Sequence, residues 1–87
     1  MRVQVGSNEW KNLETLIGES LTEGTSYDVQ LVKGQQLMIV ESASEPLEDE
    51  DGNVLEFNQG LTITKDSNNV YVKSFNAGCV INITEGE

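Results

Sequence analysis

Acidic side chains form the densest group of chemically useful residues in this sequence. Seven of the 15 aspartates and glutamates lie between Glu41 and Glu56, and four of them are consecutive at positions 48 to 51. No lysine or arginine occurs from Gly34 to Thr64. Closely spaced carboxylate oxygens are ligands that calcium prefers. A calcium loop is therefore the first chemistry to consider for this segment.

The EF-hand, the best-defined calcium loop, does not fit here. With Gly52 at its sixth position, the loop would need ligating side chains where Leu47 and Asn58 stand, and helices on both sides. A calcium site of another type stays open as an alternative. An acidic run beside a proline is more typical of a solvated turn that blunts sheet edges. We expect an exposed loop from Ser42 to Gly52 and no bound metal.

Catalytic groups are sparse in the chain. There is no histidine, which removes the usual serine and cysteine triads and the commonest general base near neutral pH. The single cysteine, Cys79, lies in an alternating apolar run, as a small buried hydrophobe does. Adjacent acids in a loop do not make the rigid carboxylate pair, about 5 Å apart, of a retaining glycosidase. We expect no enzymatic activity and no cofactor.

Charge and size restrict the partners. Fifteen acidic residues against five basic ones give a net charge of −10, which opposes binding to nucleic acid or to an anionic membrane. The longest apolar run, Leu37 to Val40, is far shorter than the about 20 residues of a membrane helix. One cysteine without histidine also excludes an intramolecular disulfide and a Cys/His zinc site. Because 87 residues enclose a small core, we expect a homo-oligomer. We favour a trimer, because the apolar residues of the N-terminal region are too many for a peripheral segment to bury against one small sandwich.

The residue pattern predicts a mainly β structure. Valine, isoleucine and threonine supply 20 of the 87 residues, and the glycines fall at the turn spacing of a sandwich or barrel. We expect a small β-sandwich or jelly-roll-like barrel of six to seven strands with a short N-terminal helix or arm. Residues 1–9 form an N-terminal strand or arm and residues 10–87 a single β domain. The predicted strands are Arg2–Val5, Tyr27–Leu31, Gln36–Glu41, Val54–Phe57, Leu61–Thr64, Val70–Ser74 and Cys79–Thr84.

Two local structures are also predicted. Apolar residues at positions 10, 13, 16, 17 and 21 have helical spacing, with Ser7 as the N-cap. The strands on either side of Lys33, Gly34 and Gln35 are predicted to pair as a hairpin, because a short glycine-containing turn separates two alternating runs.

The N-terminal region carries the candidate contact residues. Its apolar set is larger than a peripheral segment of one small sandwich is expected to bury, so association would cover it. The alternating run before Gly6 could also add as a strand to a sheet edge on a neighbour. The candidate interface residues are Arg2, Val3, Val5, Trp10, Leu13, Leu16 and Ile17.

Aromatic residues offer a second type of site. Sugar-binding β-sandwiches expose flat rings for stacking, and Trp10, Tyr71 and Phe75 could form such a platform. A domain of this size needs its large side chains for packing or for a subunit contact, and we favour that role for these three residues.

The order of several short segments along the chain forms a pattern of its own. It starts with Trp10 and Leu13, and it ends before an apolar C-terminal strand. Between these lie the run Ser20 to Gln30, the segment Glu41-Ser42-Ala43 leading to Pro46, an Asp-Gly turn at 51–52, and the run Val70 to Ser74.

This order of features, over residues 10 to 84, resembles small virion proteins of tailed bacteriophages. These are capsid decoration, head-fibre and related structural proteins. The resemblance implies a compact β-sandwich or jelly-roll-like module, often a symmetric trimer, that sits on a capsid or in a tail or fibre assembly. It implies no catalytic residue.

These observations lead to one functional expectation and two alternatives. We expect a non-enzymatic virion structural protein that is made in the bacterial host cytoplasm and binds a viral capsid or tail protein. The first alternative is an acidic DNA mimic that inhibits a host DNA-binding enzyme. It ranks lower because such mimics array carboxylates along an elongated face, whereas seven acids here crowd one segment. The second is a small carbohydrate-binding module, which requires an exposed aromatic platform.

Overall fold

A computed structural model describes residues 2–6, 9–46, 52–75 and 78–85. Within these ranges the chain forms eight β-strands and one short helix. Their bounds are β1 Arg2–Val5, β2 Lys11–Asn12, α1 Leu13–Ile17, β3 Ser26–Lys33, β4 Gln36–Ser42, β5 Asn53–Glu56, β6 Gly60–Thr64, β7 Asn69–Ser74 and β8 Cys79–Glu85.

The strands form two four-stranded antiparallel sheets packed face to face. Sheet I has the order β1-β8-β3-β6, and sheet II has the order β2-β7-β4-β5. In chain order, strand β1 pairs with β8, β2 with β7, β3 with β6 and β4 with β5. Two further pairings, β3 with β8 and β4 with β7, roll this ladder into two layers. An eight-stranded double sheet of this kind is a jelly roll.

The expectation of a mainly β sandwich or jelly-roll-like fold is therefore confirmed. The strand count of six to seven is too low, because β2 was not predicted. This strand has only two residues, and they lie where the apolar spacing indicated helix. A strand this short has no measurable alternation, so the sequence pattern could not reveal it.

The predicted hairpin on either side of Gly34 is wrong. β3 belongs to sheet I and β4 to sheet II, so the chain crosses between layers at this point. Gly34 has a φ of 111°, which favours glycine, and a Cβ built there would lie 2.6 Å from the Cβ of Cys79. Two strands joined by a two-residue link face each other across the core instead of lying side by side.

The helix is shorter than its apolar spacing suggested. Asn12, not Ser7, is the N-cap, and its side-chain oxygen accepts a hydrogen bond from the N–H of Glu14 at 2.9 Å. Ser7 lies outside the described residues. The helix ends at Gly18, which has the left-handed backbone that commonly terminates helices. The carboxylate of Glu14 then accepts the N–H of Leu21 at 2.9 Å, which holds the following segment against the core.

The N-terminal strand is part of the domain. β1 pairs with β8, and Val3 and Val5 are buried within the core. Of the two forms expected for residues 1–9, a strand or an arm, the described part forms a strand, and it lies in the same sheet as strands of the segment 10–87. The alternation of Arg2–Val5 correctly indicates a strand, and the structure gives that strand an intramolecular partner.

The core lies between the two sheets and is built from alternate residues of the strands. The faces predicted for the β3 and β8 segments, with Tyr27 and Cys79 among them, do point inward. Fully burying an aliphatic side chain contributes about 1.5 to 3 kcal/mol. The least exposed apolar side chains are Val5, Leu13, Val29, Leu31, Leu37, Ile39, Val70, Val72 and Ile81.

The acidic segment lies mainly outside the described residues. Residues 43–45 are exposed, as predicted for the loop, whereas Pro46 is buried. Residues 47–51, which include the four consecutive acids, fall outside the described ranges, so the alternative of a calcium site at those positions is not tested.

Substitution of Gly34 tests the crossing between the sheets. We expect Gly34→Ala to lower the free energy of unfolding by about 2 to 4 kcal/mol, because the new methyl group adds a clash with Cys79 to the cost of a positive φ. Gly24→Ala is the matched control, since Gly24 has a φ of 87° but no atom within 4 Å of a built Cβ. Urea denaturation of both variants measures the difference. An equal loss of unfolding free energy in the two variants would show that the contact with Cys79 does not contribute to the effect of Gly34→Ala.

Candidate interaction site

The structure places most of the predicted interface residues inside the molecule. Val3, Val5, Trp10 and Leu13 are buried, each with no more than 8% of its surface exposed. Among the other three, Arg2 is exposed, whereas Leu16 and Ile17 are partly buried and pack against the core. The side chains of the buried members are covered within the single chain. β1 lies at an edge of sheet I, so its addition as a strand to a neighbour's sheet stays a prediction.

This burial removes the original reason for expecting a trimer. The apolar set around α1 fits within one chain because the helix packs against β1, β2 and β7 and closes one side of the sandwich. On the same side, the hydroxyl of Ser74 in β7 donates to the carbonyl of Gly6 at 2.7 Å, linking sheet II to the end of β1. Oligomerisation stays a prediction, but it needs another surface.

The three predicted platform aromatics do not form an exposed platform. Trp10 and Tyr71 retain only 6% and 7% of their surface, and Phe75 is half-buried. The ammonium of Lys73 lies 5.7 Å from the centroid of the Trp10 ring, at cation–π distance. Trp10 and Tyr71 are buried outside the cluster that the two sheets enclose. They therefore pack as structural residues rather than as a stacking surface.

The outer surface of sheet II carries an apolar patch formed by Met38, Val40 and Val54, here called the apolar face. Met38 is the register partner of Val54 on one side and of Lys73 on the other, and Val40 is the partner of Tyr71. Val54 is 47% exposed, and the other two members are half-buried. The apolar face thus extends from the buried ring of Tyr71 across β4 to the edge strand β5.

One further apolar side chain is exposed near this sheet. Phe57, directly after β5, is 62% exposed and lines a shallow depression with the turn at Gly34 to Gln36. With Val54 it makes up the exposed large hydrophobic residues in the described part of the chain.

Sheet I has the opposite character on its outer surface. The hydroxyl of Thr62 donates to the carboxylate of Asp28 at 2.7 Å, and the hydroxyls of Ser26 and Thr64 lie 3.0 Å apart. Neighbouring β3 and β6 thus carry a ladder of paired polar side chains. The two outer faces of the sandwich therefore differ: one is polar and hydrogen-bonded, and the other is apolar.

The sequence contained a signal for the apolar face that the strand prediction did not use. Leu37 to Val40 are four consecutive apolar residues, and the alternation of a strand sends only two of them to the core. The other two, Met38 and Val40, must lie on the opposite face. A continuous apolar run in an antiparallel strand indicates that both faces of the strand are buried, or that its outer face is available to a partner.

Cys79 is buried as predicted, with 5% of its surface exposed. Burial raises the pKa of its thiol, because desolvation disfavours the thiolate, and a hydrogen bond with Ser74 opposes this rise in part. A thiol with a raised pKa is a poor nucleophile at neutral pH. The surroundings of Cys79 therefore suit packing rather than chemistry.

Residues 2–6, 9–46, 52–75 and 78–85 contain no group of three or more cysteine, aspartate or glutamate side chains placed to hold a metal ion. No helix in the same ranges is long and apolar enough to cross a membrane.

Comparison with known proteins adds no relative. No family model, no curated protein and no solved structure matches the chain.

The buried thiol gives a prediction about stability and pH. A raised folded-state pKa means that the native state holds its proton more tightly than the unfolded chain does. This contribution to stability is complete below the thiol's unfolded pKa and is lost as the pH rises toward the folded value. We expect the free energy of unfolding of the wild-type protein to fall more steeply at alkaline pH than that of Cys79→Ala, as measured by urea denaturation across the pH range.

A labelling experiment checks the same feature. Ellman's reagent should react with Cys79 at least tenfold more slowly in the native protein than in the denatured chain at pH 8. Rapid native labelling, or parallel pH profiles for the two proteins, would contradict the burial of this thiol.

Proposed function

We propose that the protein is a non-enzymatic structural component of a tailed-bacteriophage virion, a capsid decoration or fibre- or tail-associated module. It is made in the host cytoplasm and binds the viral assembly through protein contacts at the apolar face. The observation that carries this proposal is the exposed apolar surface of sheet II, of which Val54 is the most exposed member.

The asymmetry of the sandwich supports a docking role. An outer surface that only meets water has no need of apolar residues, and the outer surface of sheet I has few. Exposed apolar patches rimmed by polar groups mark interaction sites on many proteins. Here the carboxylate of Glu56, two residues after Val54 in β5, lies on the same strand face and is exposed. We therefore expect a partner surface with an apolar centre and basic residues around it.

The small exposed apolar area of the apolar face and the neighbouring Phe57 suits a module that is present in many copies. Covering Val54 and Phe57 would contribute about 1.5 to 3 kcal/mol each, less the cost of association. Such a contact is modest for one copy. A particle that presents many equivalent sites gains occupancy from repeated contacts when the bound copies are themselves linked.

Fold and charge are compatible with this role. Jelly rolls occur in viral capsid proteins and in lectins, so the fold alone does not choose between these functions. The buried state of Trp10 and Tyr71 speaks against sugar stacking at those rings. A net charge of −10 favours a basic protein surface over nucleic acid as the partner.

A pair of charge-matched variants tests the docking face. Val54→Asp should weaken binding to purified virions at least tenfold, because it places a carboxylate at the most exposed position of the apolar face. Gln4→Asp adds the same charge to the exposed outer surface of sheet I, opposite the uncharged Val80, and should bind as the wild type does. Co-sedimentation with particles measures binding, and circular dichroism confirms that both variants stay folded.

Two results would overturn the proposal at different levels. Equal binding by Val54→Asp and the wild type would show that the apolar face is not the contact. Absence of the protein from purified virions by mass spectrometry would remove the virion role itself. Binding to a host DNA-processing enzyme instead would support the acidic mimic.

A further inference from the structure

The outer edge of sheet I at β6 has backbone groups that no strand in the described ranges pairs with. Antiparallel strands alternate between residues that bond their neighbour and residues that face away. The N–H of Lys65 donates to the carbonyl of Thr25 at 3.0 Å, and the N–H of Leu31 donates to the carbonyl of Gln59 at 3.0 Å. The backbone groups of the odd-numbered residues Gln59 and Lys65 are therefore directed toward β3. Between them the outward backbone groups belong to Gly60, Thr62 and Thr64, all of which are exposed.

The other described strands at sheet edges are blunted, whereas β6 is not. β2 has only two residues, and β1 exposes the charged side chain of Arg2. In β5 the N–H of Glu56 is already occupied, because it donates to the side-chain oxygen of Gln59 at 2.9 Å. β6 has five residues without charge or proline. Charge, proline and short length are the devices that normally protect an edge from pairing.

We infer that β6 is a dimerisation edge, pairing antiparallel with β6 of a second copy about a two-fold axis at Thr62. In this register Thr62 faces its own counterpart, and Gly60 faces Thr64 at both ends. Every outward N–H and carbonyl of these residues then has a partner. The two copies of sheet I become one continuous eight-stranded sheet. This pairing does not depend on the proposed virion role.

The side chains of the edge suit a second copy on both faces. On the outer surface, Thr62 is held by Asp28 and Thr64 by Ser26, so little side-chain freedom is lost on pairing. On the inner surface, the same register places Leu61 of one copy beside Ile63 of the other. Threonine pairs and aliphatic pairs are both favourable across antiparallel strands.

The described residues on the β6 side of the sandwich border a cleft. A cleft of about 450 Å³ lies between β6 and the β4–β5 edge, with Leu61, Ile63 and Ile39 among its lining residues. Leu61 is only partly buried in the single chain. The opposite side is closed by α1 and by the Ser74 hydrogen bond. Pairing at β6 would extend the apolar lining of the cleft from one copy into the next.

Electrostatics gives the dimer a distinctive salt dependence. Two chains of net charge −10 repel each other at long range, although β6 itself carries no charge. Salt screens this repulsion, with a Debye length near 10 Å at 0.1 M and about 3 Å at 1 M. Dimerisation should therefore strengthen as salt is added. Pairing with a basic segment of another protein would weaken instead.

Native mass measurements on two variants test the edge. Proline is tolerated at edge positions whose N–H faces outward, so Thr62→Pro should stay folded. It removes the N–H that Thr62 of each copy donates to the other at the centre of the pairing. Thr62→Val is the matched control, because it loses the bond to Asp28 but keeps the N–H. We expect the wild type and Thr62→Val to sediment as dimers in 0.5 M salt, and the dissociation constant of Thr62→Pro to rise at least tenfold.

A crosslinking variant keeps the test decisive if the proline variant fails to fold. Residues that exchange both hydrogen bonds across an antiparallel pair have Cα atoms about 5.5 Å apart, within disulfide range. Thr62→Cys should therefore form a covalent dimer on mild oxidation, and Thr84→Cys, exposed elsewhere on sheet I, should not. A wild-type monomer at all salt concentrations, an oligomer unaffected by Thr62→Pro, or equal crosslinking of the two cysteine variants would overturn the inference.

Discussion

The crossing of the chain between its two sheets at Gly34 is the constraint on which the architecture depends. At this point β3 ends in one layer, and within two residues β4 begins in the other. The crossing lies so close to the first residue of β8 that no side chain fits between them. Similar crossings follow β5, with Asn58 at a φ of 69°, and follow β7, with Gly78 at a φ of 85°. At each of these three turns the positive φ falls on a glycine or an asparagine, which adopt this conformation more readily than other residues.

These crossings also decide how the two outer surfaces are formed. Because consecutive strands mostly lie in different layers, each sheet collects strands from distant parts of the sequence. Sheet I receives the threonines and the aspartate of β3 and β6, whose side chains satisfy one another. Sheet II receives the continuous apolar strand β4 and the exposed Val54 of β5. The polar and apolar surfaces are therefore products of topology, not of separate polar and apolar segments of the chain.

The sequence predicted the strands better than their partners. Alternation identified the inward residues of β3 and β8 correctly, because burial on one face imposes a period of two. It could not distinguish a hairpin at Gly34 from a crossing, because both need a short turn with a positive φ. The short strand β2 lay below the length at which any period is visible.

For the candidate site too, the sequence predicted local structure but not the partners of each element. The burial of Trp10 and Leu13 could not be foreseen, because a helical spacing does not say whether the apolar side of a helix meets its own core or a partner. The apolar face was foreshadowed by the run Leu37 to Val40, yet its location beside Val54 depends on the pairing of β4 with β5. The outward backbone groups of β6 follow from register alone, which no composition or periodicity reveals.

The central position of β8 has a consequence for how the protein acquires its structure during synthesis. β8 lies between β1 and β3 and is hydrogen-bonded on both sides, so sheet I contains no continuous layer until residues 79–85 exist. A nascent chain lacking them would leave β1 without its partner strand and β3 paired only with β6, and the valines of β1 would be exposed. Completion of the sandwich must therefore follow translation of β8, which ties the first strand of the chain to the rest of the sheet.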